Sequence, residues 1–204
     1  MEGKSTLRNP LAYQVLVILL TLLPISTPPT ALAATSSSQI TYTQYIKTAC
    51  NSTLYPQLCY KSLSPYASKI KGNPQRLCKT ALSIALQAAR NASSTVSNVQ
   101  KQKTLTRYEA SVIKDCVVNI KDSIDELKQS LKAMPLLSGS DKEFQMSNIK
   151  TWVSAALTDD NTCMDELDGG QKISAAVKNK IRNSVLIVAR LTSNALALIN
   201  KLKI

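Results

Sequence analysis

The stretch TRYEASVIKDCVVNIKDSIDELKQSL, residues 106–131, decides the fold class. It opens with Thr106 and Glu109 at the spacing of a capping box, in which each side chain satisfies the other residue's backbone N–H at a helix start. Its apolar residues then recur at alternating intervals of four and three, which is typical of a helix that packs against other helices. These residues are Ile113, Val117, Ile120, Ile124, Leu127 and Leu131.

Three other stretches show helical patterns of similar length. The first has Asn73 as N-cap and Pro74 at the first helical position. The next has a second capping box at residues 140–143 and stops at Gly169-Gly170, and the last runs nearly to the C-terminus. The first helix has a predicted apolar stripe of Leu77, Ala81, Ile84, Ala88, Ala92 and Val99. Residues 73–204 therefore predict an all-α, antiparallel four-helix bundle with short loops.

A smaller unit precedes the bundle at residues 40–70. Residues 34–38 are predicted as a polar lead-in, and short helices are predicted over Ile40–Ala49 and Leu58–Ile70. On a straight helix Cys50 and Cys59 would lie about 13 Å apart, which is beyond disulfide reach. If they pair, the chain must reverse between them, and this part becomes a disulfide-stapled helical hairpin.

The N-terminus has the pattern of a cleavable signal peptide. Lys4 and Arg8 precede a short apolar run, Leu11–Leu23, and Ala31-Leu32-Ala33 is a small-residue cleavage site. The run is too short for a membrane span, which needs about 20 residues. We therefore expect residues 1–33 to be removed, residues 34–204 to form the mature domain, and the protein to be extracellular, without a membrane anchor.

The composition excludes several classes of enzyme. The chain has no His and 5 Gly, which excludes Ser-His and Cys-His nucleophile pairs and His-ligated zinc and disfavours a Gly-rich phosphate loop. We expect no catalytic activity, no cofactor and no metal. The formal charge is +12, or +11 without the signal peptide. In a secreted protein this charge favours weak attraction to acidic polysaccharides such as pectin rather than nucleic acid binding.

The cysteines predict disulfides, because secretion exposes the chain to an oxidising compartment. There are 5 Cys, so one is left over, and the residues alone do not choose a second pair among Cys78, Cys116 and Cys163. A metal site lacks the C-x-x-C spacing and His. Cys78 lies on the apolar side of its predicted helix, which favours a buried, inert thiol.

Other candidate sites have simpler interpretations. Trp152 and Phe144 lie at core spacing, which favours packing over a sugar-binding platform. Asn51 and Asn91 begin N-glycosylation sequons. An acidic cluster near residues 159–168 lacks the order of an EF-hand loop, so we interpret it as a solvated helix end rather than a Ca²⁺ site. Its members are Asp159, Asp160, Asp165, Glu166 and Asp168.

The residues alone leave two functions open. One is binding to another protein, and the other is carriage of a small apolar ligand. A carrier needs an unfilled apolar cavity, whereas the Ala-, Val- and Leu-rich core predicted here can close completely. This favours binding through a surface.

Four ordered motifs resemble those of the plant invertase and pectin methylesterase inhibitor family. They are TACNSTLYPQLC at residues 48–59, KDC at 114–116, TWVSAALT at 151–158 with TC at 162–163, and SNALA at 193–197. The resemblance implies a four-helix bundle with an N-terminal hairpin. It also implies the disulfides Cys50–Cys59 and Cys116–Cys163, and it leaves Cys78 as a free thiol.

The resemblance further implies stoichiometric inhibition of one of two cell-wall enzymes. Invertase inhibitors of the family often carry Pro-Lys-Phe before the KDC helix, whereas this chain has QKTLT at residues 102–106. Together with the first and third motifs, this favours pectin methylesterase as the target and leaves acid invertase as the alternative. A stand-alone inhibitor of the apoplast is expected.

The enzyme-binding face in the family lies on the middle helices of the bundle. By resemblance it includes Asp122, Thr162 and Asp165 here. A further position, acidic in the family, is Val118 in this chain, so one charged contact is missing. Helical spacing places Asp115, Asp122 and Asp125 roughly on one outward stripe.

Overall fold

The structure is a computed structural model that describes residues 31–169 and 173–204, with side chains from residue 39 onward. Residues 37–204 form one compact unit. Of the predicted signal peptide, residues 1–30 lie outside the described residues, as does Gly170 of the predicted helix stop.

All regular elements in the described ranges are helical. Two short 3₁₀ turns, Ser64–Tyr66 and Met134–Ser138, interrupt the α-helices. The α-helices are α1 (Ala31–Cys50), α2 (Pro56–Leu63), α3 (Ala67–Ile70), α4 (Pro74–Gln100), α5 (Arg107–Ala133), α6 (Lys142–Asp168) and α7 (Ala175–Asn200).

The four long helices form the bundle. Helix α4 packs against α5 and α7, and α6 packs against the same two helices, so each long helix touches its neighbours around a closed ring. Short connections of six to eight residues make successive helices antiparallel. The centre is filled by aliphatic side chains, among them Leu82, Ile113, Ile120, Ile149 and Ile181. The predicted all-α bundle is therefore confirmed.

Two of the predicted helix starts are present. The Asn73 side chain accepts a hydrogen bond from the backbone N–H of Arg76 at 2.9 Å. At the start of α5, Thr106 Oγ1 accepts from Glu109 N at 3.1 Å, and Thr106 N donates to Glu109 Oε2 at 2.9 Å. The other oxygen of Glu109 accepts from Ser174 N at 2.9 Å, so one carboxylate caps α5 and meets the chain just before α7. These bonds lower the pKa of Glu109 to about 2.

The predicted capping box at residues 140–143 is wrong. Helix α6 begins one residue later than the box requires, with Asp141 as N-cap and no side-chain cap bond. Glu143 is then the second helical residue rather than the third, so it cannot close the box. The Ser140 hydroxyl instead donates to the Asp141 carboxylate at 3.2 Å.

The N-terminal helices differ from their predicted bounds. Helix α1 continues through residues 34–38, which were predicted as a lead-in. The second predicted helix, Leu58–Ile70, begins two residues earlier at Pro56 and is divided by the 3₁₀ turn at Pro65. Proline has no N–H to donate, so an α-helix tends to break there.

The predicted stripe of α4 faces the core, although Ile84 and Ala88 lie at its edge, half-buried and packed against the core. That face also includes Ala85, Ala89 and Val96. One prediction about packing is wrong. Phe144 is 65% exposed rather than part of the core. Trp152 is half-buried and packs against the core, as expected.

The turn between the helices of the N-terminal hairpin is held by a disulfide and by contacts with α7. Cys50 and Cys59 form a disulfide with a Cα–Cα distance of 5.6 Å. Asn194 of α7 satisfies both backbone groups of Tyr55, since its Oδ1 accepts from Tyr55 N and its Nδ2 donates to Tyr55 O, each at 3.0 Å. The Arg190 guanidinium lies 5.3 Å from the centre of the Tyr55 ring. Leaving a buried polar group such as these unpaired costs about 1–3 kcal/mol, so the two bonds hold the hairpin on α7.

The second disulfide joins α5 to α6. Cys116 and Cys163 are bonded, with a Cα–Cα distance of 4.5 Å. Cys78 is a free thiol, 1% exposed, on the inner face of α4. Burial raises the pKa of Cys78 to about 12, which disfavours the reactive thiolate.

We predict that the native protein contains one thiol that does not react. Iodoacetamide at pH 8 should leave Cys78 unmodified in native protein and label it fully in guanidinium, because burial blocks access and suppresses the thiolate. Mass spectrometry of non-reduced peptides should find Cys50 linked to Cys59 and Cys116 linked to Cys163. A Cys78→Ala variant, which should take up no label in either state, is the control. A peptide joining Cys78 to another cysteine would contradict the assignment.

Candidate functional site

The acidic residues of the mature domain are segregated. All of them lie between Glu109 and Asp168, in α5, α6 and their connection. That segment holds twelve acidic and six basic residues, a formal charge of −6. The rest of residues 34–204 holds seventeen basic residues and no acidic one, a formal charge of +17. This asymmetry is visible in the sequence, and the net charge alone does not reveal it.

One side of α5 presents an exposed stripe. Asp115, Val118, Asp122 and Asp125 follow one another at intervals of three, four and three residues, and all four are exposed. Val118, which replaces the expected acidic residue, is 50% exposed between two carboxylates. The stripe therefore combines an apolar contact with negative charge.

Helix α6 contributes the second part of the surface. Asp165 is exposed, and Thr162 is half-buried, with its hydroxyl donating to the carbonyl of Thr158 at 2.9 Å. Thr162 adjoins the Cys116–Cys163 disulfide, which binds its helix to α5. We call the exposed surface of these two helices, defined by the α5 stripe with Thr162 and Asp165, the α5–α6 face. The predicted residues Asp122, Thr162 and Asp165 thus lie on two adjacent helices, with no hydrogen bond among them.

Carboxyl groups meet along the boundary between α5 and α6. Burial, followed by the nearby Asp159 and Asp122 carboxylates, raises the pKa of Glu126 to about 7. Burial and the Asp122 charge also raise the pKa of Asp159. Burial and Asp115 raise the pKa of Glu166 in the same way. The boundary therefore holds protons in mildly acidic solution and gains negative charge as the pH rises.

The prediction that the acidic cluster forms a solvated helix end is wrong for Asp160. Its side chain is fully buried in the bundle, where Thr192 of α7 donates to Oδ2 at a long 3.5 Å. Burial raises the pKa of Asp160 to about 8, although the nearby Ser123 and Thr192 hydroxyls favour the charged form and oppose the shift. Asp168 is instead at the surface, paired with Lys178 and Arg182. Within the described residues, no three Cys, Asp or Glu side chains are grouped to hold a metal ion.

Both sequons are accessible. Asn51 is exposed at the hairpin corner, and Asn91 is exposed on α4, where its Oδ1 accepts from the Gln87 amide at 3.1 Å. Glycosylation at either position stays a prediction.

Comparison with known proteins identifies the family. The model of the plant invertase/pectin methylesterase inhibitor family matches residues 44–198. The chain belongs to this family. In the structure its motifs meet in pairs, since Tyr55 of the first bonds Asn194 of the last and Cys116 of the second bonds Cys163 of the third.

Several curated relatives carry inhibitor names. Pectinesterase inhibitor 10 of Arabidopsis thaliana is 48% identical over 171 residues, which cover 82% of this chain and 54% of that protein. This chain thus spans about half the length of that relative. The 21 kDa protein of Daucus carota is 44% identical over 77% of this chain and 82% of its own length. Pectinesterase inhibitor 4 of Arabidopsis thaliana is 42% identical over 78% and 80%.

Solved structures support the fold. A mutant form of a pectin methylesterase inhibitor from Arabidopsis superposes with a TM-score of 0.63 at 21% identity, covering 78% of this chain and 97% of that one. In the described part of the chain, the apolar length needed to cross a membrane is not reached by any helix.

We predict that stability falls as pH rises from 5 to 8. The folded pKa of Asp160 is about 8, far above the ordinary value near 4, so between these values only the folded state keeps the proton. Stability then decreases by up to about 1.4 kcal/mol per pH unit for this proton. Asp160→Asn, which mimics the protonated acid, should raise the melting temperature at pH 8 and flatten its decline.

The matched control is Asp165→Asn, which removes an exposed carboxylate from the same helix and should leave the decline unchanged. Glu126 and Asp159 add to the wild-type slope, so some pH dependence should persist in Asp160→Asn. Equal melting curves for wild type and Asp160→Asn at pH 5 and pH 8 would show that Asp160 does not carry this proton.

Proposed function

We propose that this protein is a secreted inhibitor that binds a pectin methylesterase stoichiometrically and covers the enzyme's substrate cleft with the α5–α6 face. The observation that carries the proposal is this face itself, a negatively charged surface on an otherwise strongly basic bundle. A surface that differs so sharply in charge from its surroundings favours one docking orientation and steers the encounter.

The geometry of the face suits the blocking of a cleft. Each of its two helices has 27 residues and is about 40 Å long. The disulfide between them and the packed core keep the face rigid, so little conformational entropy is lost on docking. A specific interface of about 800 Å² per partner fits on two such helices. Val118 offers a central apolar contact and the surrounding carboxylates offer charged ones.

The relatives support an inhibitor rather than an enzyme. The two Arabidopsis relatives are named pectinesterase inhibitors, and the similarity to inhibitor 4 extends over most of both chains. The whole chain has no His, and the described residues hold no metal-binding group. Both observations support a protein that acts by occupying a surface.

Acid invertase is the second candidate target, because the matched family includes inhibitors of both enzymes. QKTLT in place of Pro-Lys-Phe at residues 102–106 and the names of the relatives favour the esterase. A small-ligand carrier is disfavoured, because the cavity of about 760 Å³ along α4 is an open surface groove with charged side chains on its walls.

Secretion is part of the proposal and has its own test. Expression of the full chain in plant cells should yield protein in the extracellular fluid whose N-terminal residue is Ala34, because cleavage is expected after Ala33. Replacing Ala31 and Ala33 by Leu should block processing at that site, since cleavage requires small residues there. Recovery of intact Met1 from the extracellular fluid would contradict a cleaved signal peptide.

The target and the face are tested together by inhibition assays. Wild type should inhibit pectin methylesterase at a one-to-one ratio and leave acid invertase active. Asp122→Ala and Asp165→Ala should each weaken esterase binding, by about twofold for a solvated rim contact and by tenfold or more for a buried charge pair. The loss should shrink at high salt for rim contacts, because salt screens exposed charges.

Glu143→Ala is the matched control. It removes the same charge from α6 at an exposed site about 33 Å along the helix from Asp165, so its inhibition constant should equal that of wild type. Circular dichroism should show equal helix content in all variants. Inhibition of invertase alone would identify the second candidate as the target. Full esterase inhibition by both Asp variants would place the interface elsewhere on the bundle.

A further inference from the structure

We propose that a groove on the basic side of the bundle binds a polyuronate, a linear polysaccharide whose sugars carry carboxylates. The groove has a volume of about 760 Å³ and runs along α4. Its other walls are formed by the chain around Tyr66 in the hairpin and by Leu191 of α7. This site is distinct from the α5–α6 face and adds a second ligand to the proposed function.

The positive charge of the groove is unneutralised. Lys69, Arg76 and Lys79 line it, and all three are exposed. Across the residues that the structure describes, none of the three forms an ion pair. Residues 35–108 contain no Asp or Glu at all, so no carboxylate lies near these cations in sequence. A groove with cations on its walls and no counter-charge concentrates a polyanion.

The uncharged residues of the groove suit a sugar polymer. The Tyr66 ring, 41% exposed, and Ile84 give it aromatic and aliphatic surface for the C–H faces of sugar rings. Gln87 and Asn91 add amide groups for hydroxyls, and both are exposed. A binding site for an amphipathic ligand needs apolar walls with a few polar groups. A polymer of phosphates would use the cations and leave the ring and the amides without a role.

The groove has the length of an oligomer and leaves the α5–α6 face free. From Arg76 to Asn91 its wall on α4 follows about 22 Å of helix. Among the lining residues given for the groove, none belongs to α5 or α6, since its walls lie on α4, on α7 and in the hairpin. One molecule can therefore hold a polymer there while the α5–α6 face meets an enzyme. Polyuronate carboxylates are what hydrolysis of a pectic methyl ester releases, so the ligand and the proposed target would occur together.

Polymer binding in the groove should depend on whether Asn91 carries a glycan. A glycan on Asn91 would stand in the groove, so glycan and polymer would compete for the same space. Ser93→Ala removes the sequon and keeps the Asn91 side chain in place. All binding measurements therefore use the Ser93→Ala protein as reference.

The test is titration calorimetry with size-defined oligogalacturonate and no enzyme present. Lys69→Gln, Arg76→Gln and Lys79→Gln combined should lower the affinity by about tenfold or more, since an exposed ion pair contributes up to about fivefold. The matched control combines Lys114→Gln, Lys121→Gln and Lys132→Gln, three exposed lysines of α5, and should change the affinity by less than threefold. Equal losses in the two triple variants would overturn the groove in favour of diffuse charge.

Tyr66→Ser separates a sugar site from a general polyanion site. It should weaken oligogalacturonate binding severalfold and leave any binding of duplex DNA or of phosphatidylserine vesicles unchanged. Fully methyl-esterified oligomer should bind at least tenfold more weakly than the free acid, because its carboxylates are neutralised. Equal affinity for the esterified oligomer, or tighter binding of DNA or vesicles, would overturn the proposal.

The proposal of a polyuronate-binding groove and the proposed inhibitor function can be refuted independently. The Lys69, Arg76 and Lys79 triple variant should inhibit pectin methylesterase as the Ser93→Ala reference does when a soluble substrate is used. Loss of oligogalacturonate binding with inhibition retained is the expected result. Lost inhibition in that variant would contradict the separation of the two sites, whereas oligogalacturonate binding by a protein that inhibits no esterase would refute the proposed function alone.

Discussion

The Cys116–Cys163 disulfide fixes the relation between the two helices on which the candidate site depends. It brings the backbones of α5 and α6 within 4.5 Å at the bonded Cα atoms. The carboxyl groups of Glu126 and Asp159 meet across the same boundary, close to Asp122, and like charges there would push the helices apart. A covalent bond holds the register against that repulsion, and protonation at mildly acidic pH reduces the repulsion itself.

The buried carboxyl groups act on stability in opposite directions. Glu109, whose pKa is about 2, contributes stability that declines as the pH falls from the ordinary glutamate value near 4.3 towards 2, because only the unfolded state binds the proton in that range. Asp160, whose pKa is about 8, destabilises the fold as the pH rises above the ordinary aspartate value near 4. Together these two groups place their combined optimum near pH 4.

Local sequence signals predicted the helices well and their surroundings less well. The caps at Asn73 and Thr106 could be predicted because each is a bond between residues a few positions apart. The residues at the centre of the inward side of α4 could not be predicted in the same way, because Ala85 and Ile84 are both apolar and only the positions of the neighbouring helices decide which is fully buried. Asp160 was misjudged for the same reason. A carboxyl group on an acidic helix is expected in water, and only the packing of α7 places Thr192 beside it.

Because acidic and basic residues lie in different parts of the domain, a polyanion should approach one side of the molecule in preference to the other. In a matrix of polyanions, a uniformly basic protein would be adsorbed over its whole surface, and its enzyme-binding face would be covered by polymer. Here the exposed carboxylates Asp115, Asp122 and Asp125 of α5 would repel such polymers, while the basic remainder of the domain would attract them. A polymer would therefore meet the α4 side, and the α5–α6 face would be left exposed to the solution. An inhibitor held this way would keep its proposed binding surface open to its target.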